Sequence, residues 1–221
     1  MRMLKKWSDS DAMSKGVINL IRKRRSIRHF KTDFVRPEAI KVILDAARWA
    51  PSSNNSQPWQ FVIVSEDEEK IPLADLYADA YKREAEDLSF RSDADTRFTD
   101  PHEIKNRILN MLEMLRHQIL DPPYIIVVCA DPLKSSSYLL ESGAAIQNMM
   151  LTAWDLKLGS CCIELATTLL SEYFEINKLK GLLGIPAEIE VIALVPVGKI
   201  EKIPHRPERE LLKDFHHTEV W

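Results

Sequence analysis

The chain has 221 residues, of which 45% are hydrophobic and 29% charged, and its formal net charge at pH 7 is −3. These proportions exclude a wholly disordered chain and give no general attraction to nucleic acid or to anionic membranes. The 6 glycines form neither a G-x-G-x-x-G nor a G-x-x-x-x-G-K-[ST] arrangement, which excludes the glycine-rich loops of dinucleotide- and nucleoside-triphosphate-binding folds.

The three cysteines, Cys129, Cys161 and Cys162, are too few for a disulfide framework and lack the spacing of zinc ligands. The longest apolar runs, around Ile125–Ala130 and Val191–Val197, have the length of strands and fall far short of the ~20 residues of a membrane span. We therefore expect a reduced, cytoplasmic chain that has no metal centre and contacts neither membrane nor nucleic acid.

The first predicted elements are two helices and a strand. Lys15–Arg25 places its apolar residues on one helical face and its basic residues at the C-terminal end, where the helix dipole favours them. Pro37 begins a second amphipathic helix, and Pro51 ends it. A polar loop, Ser52–Gln57, then leads into Trp59–Ser65, whose run of apolar residues predicts a strand buried on both faces.

The segment Glu66–Leu120 differs from its surroundings because it is rich in charge. Leu73–Leu88 and Glu103–Leu120 are predicted helices, and Ser89–Pro101 between them has no useful periodicity. Two interpretations are open: a solvated surface insertion, or a lid over a ligand site, since long irregular segments in compact domains are often functional. In either case we expect a single domain over residues 1–221, with the helical insertion at about 66–120.

The second half of the chain continues the mixture of strands and helices. Strands are predicted at Tyr124–Ala130, Cys161–Ile163 and Glu190–Val197, and helices at Tyr138–Leu158 and Ser171–Leu182. The longer helix is apolar around most of its circumference, which indicates burial in the core or against a second subunit. Helices and strands in this order predict an α/β or α+β fold around one sheet.

Basic residues concentrate in Arg22–Arg28, where five cations and one hydroxyl occur within seven positions. Guanidinium groups bind phosphate in a bidentate manner and serine adds a neutral donor, so this run is suited to an anion site. A solvated basic helix end that complements its own dipole is the alternative.

Two further polar clusters are ambiguous when each is considered alone. Ser52–Gln57 supplies six consecutive hydrogen-bonding side chains, as the edge of a heteroaromatic ring would require, but such a loop can also serve only to cap and turn. The cations that follow the last predicted strand, among them Arg206 and Arg209, are by themselves a polar tail.

Together and in this order, the clusters resemble the FMN-dependent nitroreductase family. The resemblance lies in the stretches Arg24–Phe30, Ala50–Phe61, Ala144–Ile163, Leu182–Lys199 and His205–Pro207. It covers most of the chain outside the Glu66–Leu120 insertion. The first two stretches at this spacing are the specific part of the match, and the others support it.

The resemblance implies an α+β, nitroreductase-like fold with a central, mostly antiparallel sheet flanked by helices, which works as an intertwined homodimer with FMN at the interface. It also implies ping-pong transfer of hydride from NAD(P)H through FMN to a flat acceptor such as a nitroaromatic or a quinone. No side-chain nucleophile is expected, and Arg28 would stabilise the reduced flavin. A non-catalytic flavin- or nucleotide-binding module on the same scaffold is the alternative.

The resemblance also implies which residues contact the cofactor. The residues before the second helix and near the C-terminus would hold the phosphate, the ribityl chain or the pyrimidine edge of FMN. The residues of the polar loop would reach the FMN of the other subunit. The residues after the Cys161-Cys162 pair would approach N5 of the flavin. Leu165 stands where many members have glycine, and the cysteine pair, expected to be chemically inert, stands where an aromatic residue is common. The expected cofactor-binding residues are Arg24, Arg25, Ser26, Arg28, Pro51, Ser52, Ser53, Asn55, Ile163, Glu164 and Arg206.

Overall fold

The computed structural model of the chain describes residues 15–91 and 101–220. Its described part contains one sheet of six strands. The strands are β1 (Phe30–Lys31), β2 (Trp59–Val64), β3 (Tyr124–Ala130), β4 (Leu158–Ser160), β5 (Ile163–Glu164) and β6 (Glu190–Ile200).

Strand β6 is the centre of the sheet. It pairs antiparallel with β3 and β1 along one side and with β5 and β4 along the other, so that Lys199 lies opposite both Lys31 of β1 and Leu158 of β4. Strand β2 pairs antiparallel with the outer side of β3. The prediction of a mostly antiparallel sheet is therefore confirmed. The two-residue strand β1 was missed because it is too short to carry a hydrophobic period.

Seven α-helices lie within the described ranges, together with short 3₁₀ turns at Ser53–Asn55 and Leu212–Asp214. The helices are α1 (Lys15–Lys23), α2 (Pro37–Ala47), α3 (Asp67–Arg91), α4 (Pro101–Leu120), α5 (Tyr138–Asp155), α6 (Leu170–Tyr173) and α7 (Ile176–Leu183).

The sheet lies between two helical layers. This coverage on both faces explains why the sequence of strand β3 is apolar throughout. Ile126 and Val128 belong to the buried cluster that includes Met149 of α5. Ile125 belongs to the opposite cluster, which includes Leu73 of α3. Since successive side chains of a strand point to opposite faces, a strand covered on both sides is apolar at every position.

Both helices of the predicted insertion contribute to this core. Tyr77 of α3 and Ile119 of α4 are buried in the second cluster. Lys70 of α3 is also buried, and its Nζ donates a hydrogen bond of 2.6 Å to the carbonyl oxygen of Leu120 at the end of α4. Burial lowers the pKa of the Lys70 ammonium. These contacts do not fit a solvated insertion, whereas the lid stays a prediction, and residues 92–100 lie outside the described residues.

Several predicted boundaries were wrong for local reasons. Helix α5 ends at Asp155 rather than at 158, because Lys157 adopts a left-handed φ of 63°. The predicted helix over 171–182 is divided by Phe174, whose backbone is extended. Strand β2 was expected to be buried on both faces, but Gln60 and Ile63 are exposed because the strand lies at the edge of the sheet, where the helices cover it only partly.

Two other boundaries differ in ways that matter for the site described below. Helix α1 ends at Lys23, so that residues 24–28 form an extended connection rather than a helix end. The strand predicted over 161–163 is instead two short strands, β4 and β5, and the cysteine pair lies between them.

None of the described helices combines the length and the apolar composition that crossing a bilayer requires.

Candidate functional site

A cavity of about 220 Å³ brings together arginines from the two ends of the chain. We call it the arginine cleft. One side comes from the end of α1 and the residue pair after it, and the other from the segment that follows β6; Gln147 of α5 completes the wall. Its arginines are Arg22, Arg24, Arg25, Arg206 and Arg209.

Within this cleft, the guanidinium of Arg24 is partly withdrawn from solvent. Its Nη1 atom is buried and has no hydrogen-bond partner within residues 15–91 and 101–220. Burial lowers the pKa of this side chain, and the charges of Arg25 and Arg209 lower it further. A buried donor without an acceptor is costly, so the arrangement is suited to an anionic ligand that would satisfy Arg24 and offset the mutual repulsion of the arginines.

Arg25 has a different role from the other arginines. Its Nη1 donates to two backbone carbonyl oxygens, that of Arg22 at 2.8 Å and that of Arg24 at 2.6 Å. These bonds satisfy carbonyl groups at the C-terminal end of α1, which a helix leaves without partners. Arg25 therefore braces the turn that carries Arg24, and part of its donor capacity is already used.

The connection over residues 24–28 is held to the sheet by one buried side chain. Ile27 is fully buried, and its N–H donates to the carbonyl oxygen of Ser160 at 3.0 Å, next to a bridge between Ser26 and Ser160. Gly159 makes this approach possible, because a Cβ at that position would lie 2.8 Å from Cγ2 of Ile27. The alternation of side chains then turns Ser26 and Arg28 away from the direction of Ile27.

A second cavity, of about 520 Å³, lies on the other side of this connection. We call it the larger cleft. Helices α3 and α4 line it with Tyr77, Tyr81, Glu84 and Gln118, and the segment around β5 lines it with Cys161–Glu164. The rings of Tyr77 and Tyr81 pack edge to face with their centroids 5.2 Å apart. Burial raises the pKa of the Tyr77 phenol far above the physiological range, so this side chain remains a neutral hydrogen-bonding group.

Arg28 also lines the larger cleft, whereas Arg24 lines the arginine cleft. The two cavities are nevertheless neighbours, because Arg24 and Arg28 belong to the same short connection, and both of their charges act on the thiol of Cys161. Burial raises the pKa of Cys161, and the positive charges of Arg28 and Arg24 lower it. A ligand with an anionic end and a flat, partly polar body would fit a pair of cavities arranged in this way.

The segment after the cysteine pair presents both a backbone donor and a side-chain acceptor. The N–H of Leu165 donates to the carbonyl oxygen of Ile192 in β6 at 2.9 Å, so the preceding N–H, that of Glu164, points away from β6. Oε1 of Glu164 accepts from the N–H groups of Ala166 and Thr167, at 2.6 and 2.7 Å. Its Oε2 is buried and accepts no hydrogen bond from any residue that the structure describes.

Leu165 lies at the position where the resemblance described above implies glycine, and its side chain points into the core. Leu165 is buried in the core cluster that contains Leu194 of β6, and it does not line the larger cleft. The side chain at position 165 therefore does not contribute to the shape of the larger cleft, which depends on the residues that line it.

The polar loop after α2 is strained and lies apart from both clefts of its own chain. Asn54, Asn55 and Gln57 have left-handed φ angles of 52°, 57° and 46°; asparagine adopts this region more readily than most residues, whereas in Gln57 it costs about 1–3 kcal/mol. Of the predicted cofactor residues, those of this loop line neither the arginine cleft nor the larger cleft; they are Pro51, Ser52, Ser53 and Asn55.

The structure thus brings most of the other predicted site residues into two adjacent cavities. Arg24, Arg25 and Arg206 share the arginine cleft, and Arg28 shares the larger cleft with residues 163 and 164. Ser26 lines neither cavity. That these residues bind a cofactor stays a prediction.

Some residues of the cavities were not predicted. Arg209 belonged to a recognised basic cluster and could have been included on that ground. Three residues from α3 and α4 carry no local signal, because only the packing of the helical pair brings them to the cleft; they are Tyr77, Glu84 and Gln118. Tyr81 also lines the cleft, and it lies in the segment that the lid interpretation places over a ligand.

The cysteine pair is expected to react slowly with alkylating agents. Burial, with smaller contributions from Cys161 and Glu164, raises the pKa of Cys162 to about 11. At pH 8 only about one Cys162 in a thousand is then a thiolate, the reactive form. Alkylation by iodoacetamide, followed by peptide mass spectrometry, should be slow at pH 7 and accelerate about tenfold per pH unit up to pH 10. Rapid, complete labelling of Cys162 at pH 7 would contradict this expectation, and the urea-unfolded protein is the control.

Comparison with known proteins agrees with this architecture. The model of the Nitroreductase family matches residues 21–199. A protein of Archaeoglobus fulgidus, whose name proposes an NADH dehydrogenase/NAD(P)H nitroreductase, is 31% identical over 92% of this chain and 98% of its own. An iodotyrosine deiodinase of Thermotoga neapolitana is 26% identical over 91% and 98% of the two chains.

A solved structure shares the fold at lower identity. The FMN-dependent nitroreductase of Clostridium difficile R20291 superimposes with a TM-score of 0.68 at 24% identity, covering 92% of this chain and 99% of that one. The match of the family model over most of the chain, together with the identity to the Archaeoglobus protein, means that the chain belongs to the nitroreductase family of oxidoreductases.

Proposed function

We propose that this protein is an FMN-dependent oxidoreductase that transfers hydride from NAD(P)H to a flat electron acceptor, such as a nitroaromatic or a quinone, with ping-pong kinetics. One observation carries the proposal: the buried, unpartnered Nη1 of Arg24 in a cavity surrounded by arginines. The name of the Clostridium relative supports the choice of FMN, and the name of the Archaeoglobus relative supports NAD(P)H.

The residues of the two cavities fit this cofactor. The phosphate of FMN carries about two negative charges, which suits Arg24 and Arg206, while Arg25 braces the turn between α1 and β1. The larger cleft next to it provides the neutral phenol of Tyr77 and the cation of Arg28, which suits a flat, polar ring system.

When bound, FMN would supply the hydride-accepting and electron-donating chemistry, so that no side-chain nucleophile is needed. Arg28 would balance the negative charge that reduction adds to the cofactor. The N–H of Glu164, which points away from β6, would be a hydrogen-bond donor to it. The two tyrosine rings would shield the reacting surface from water.

We further propose that the active form is a homodimer. Helix α1 exposes Val17 and Ile21, and the segment over residues 201–220 is exposed along its whole length with apolar side chains that include Leu211 and Phe215. Apolar surface of this extent is suited to burial against another chain. A second copy of the chain would also explain why the polar loop lines neither cleft of its own chain. In the dimer, the loop of one subunit would contact the cofactor bound by the other subunit.

The experiment that tests this function begins with the absorption spectrum of the purified protein. We expect a yellow protein, or a colourless one that takes up added FMN with a stoichiometry near one per chain. Steady-state oxidation of NADH and NADPH with a quinone and a nitroaromatic should then give parallel lines in double-reciprocal plots, as a ping-pong mechanism requires.

Two outcomes would contradict the proposal in different ways. Failure to bind FMN at any concentration would overturn the assignment of the cofactor. Tight FMN binding without oxidation of either nicotinamide would favour the non-catalytic flavin-binding module instead.

A further inference from the structure

A buried carboxylate connects the polar loop to the other end of the core. Glu141, in the first turn of α5, is only 5% exposed. Its Oε1 accepts a hydrogen bond of 2.8 Å from the N–H of Ser53 and one of 2.9 Å from Oγ of Ser135. The bond to Ser53 joins residues 88 positions apart in the chain, so it fixes the loop to a helix that local sequence does not link to it.

The environment of this carboxylate favours its charged form. It lies in the first turn of a helix, where the dipole stabilises negative charge. The hydrogen bond from the Ser53 backbone, together with those from neighbouring serine hydroxyls, lowers the pKa of Glu141. Its second oxygen, Oε2, is also buried and has no hydrogen-bond partner in the part of the chain that the structure describes.

The loop that Glu141 holds has little other support for its conformation. Its left-handed residues, Asn54, Asn55 and Gln57, follow directly after Ser53. Their hydrogen bonds are local: the N–H of Asn55 donates to the carbonyl oxygen of Ser52, and that of Gln57 donates to the Ser52 hydroxyl. Strained backbone persists only where its surroundings hold it, and the bond from Ser53 to Glu141 attaches the loop to the first turn of α5.

From this geometry we infer that Glu141 is a positioning residue for cofactor binding, which acts by holding the loop of residues 52–57 in its strained conformation. The inference rests on the proposed function, in which this loop contacts the FMN of a partner subunit. Glu141 lines neither cleft, so its effect on the cofactor would be transmitted through the backbone of Ser53.

The test compares Glu141→Ala with the wild-type protein by two measurements. Hydrogen–deuterium exchange on the cofactor-free protein should be at least tenfold faster in peptides that cover residues 50–58, because the acceptor of the Ser53 N–H is lost. The Kd for FMN should rise about tenfold, the usual size of a lost hydrogen bond to a charged group. Glu38→Ala, which removes an exposed carboxylate from the first turn of α2, is the matched control and should change neither quantity.

A second pair of variants addresses the case in which Glu141→Ala does not fold. Ser53→Pro removes the donating N–H and leaves the carboxylate in place, and the extended backbone of Ser52 is compatible with a following proline. Ser53→Ala removes the side chain but keeps the N–H. If the inference is right, FMN binds more weakly to the proline variant than to the alanine variant, and Glu141→Gln, which keeps an acceptor oxygen, recovers most of the affinity.

The outcomes separate this inference from the proposed function. Unchanged exchange and unchanged FMN affinity in Glu141→Ala would overturn the positioning role. Faster exchange with unchanged FMN affinity would also overturn it, because the loop would then be mobile without consequence for the cofactor. If the wild-type protein binds no FMN, the proposed function fails, whereas the exchange measurement still tests whether Glu141 holds the loop.

Discussion

Replacing Arg24 with alanine should raise the Kd for FMN about 100-fold. The guanidinium is partly buried and its Nη1 has no partner among the residues that the structure describes, so a bound phosphate would make a hydrogen bond that water does not replace. A hydrogen bond to a charged group is worth about 1.5–3 kcal/mol, and each 1.4 kcal/mol changes Kd about tenfold. Titration of the cofactor-free protein, followed by quenching of flavin fluorescence, measures the effect.

Arg206→Ala should weaken binding less, by about tenfold. Arg206 lines the same cleft but is exposed, and exposed charges contribute less because water and salt screen them. The difference between wild type and this variant should therefore shrink at high ionic strength, while the effect of Arg24→Ala should persist.

Arg36→Ala provides the control for both arginine variants. Arg36 is an exposed arginine before α2 that makes no capping hydrogen bond with its side chain and lines neither cleft. It should bind FMN as the wild type does. Wild-type affinity in Arg24→Ala would refute the assignment of the phosphate to the arginine cleft.

The second large effect is expected from Gly159→Ala, which should destabilise the protein and weaken FMN binding together. The new Cβ would lie 2.8 Å from Cγ2 of Ile27, a fully buried side chain that cannot move without displacing its neighbours. Overpacking of this kind costs about 1–3 kcal/mol, which lowers the Tm by about 2–12 °C in a chain of this size, since each kcal/mol is worth about 2–4 °C. Because Ile27 lies between Ser26 and Arg28, its displacement would also move the residues proposed to hold the cofactor.

Differential scanning calorimetry and FMN titration of the same sample distinguish these two effects. Gly181→Ala is the matched control, because a Cβ at position 181 in α7 meets nothing within 4 Å and alanine favours the helix. Its Tm should be unchanged or slightly higher. A Gly159→Ala protein with the Tm and FMN affinity of the wild type would show that the connection over residues 24–28 adapts without cost.

Some helices and strands follow from local sequence pattern, whereas others depend on contacts between distant parts of the chain. The apolar run of β3 predicted a fully buried strand correctly, since both faces of that strand are covered by helices. The same reasoning was wrong for β2, because its sequence does not reveal that the strand lies at the edge of the sheet. In the insertion, the high content of charged residues suggested a solvated surface. Lys70 is nevertheless buried, and its ammonium donates a hydrogen bond to a carbonyl oxygen at a helix end 50 residues away.

The features of the candidate site likewise follow partly from local sequence and partly from distant contacts. The concentration of cations in Arg22–Arg28 pointed to an anion site by charge alone. It did not predict that Arg25 would be used to cap α1, or that Arg24 and Arg28 would line different cavities. That division arises because helix α1 ends at Lys23, and the chain beyond it is extended and attached to β4 through Ile27.

The amino-acid sequence by itself determined most of the helices and strands, the resemblance to a family and the kinds of side chain at the candidate site. These features depend on short-range pattern and charge. Only the tertiary structure decided which of those groups meet. The buried donor of Arg24, the burial of Tyr77 in the second core cluster and the hydrogen bond from Ser53 to Glu141 all depend on contacts between residues far apart in the chain. Desolvation and hydrogen bonding over such distances have no counterpart in the local pattern.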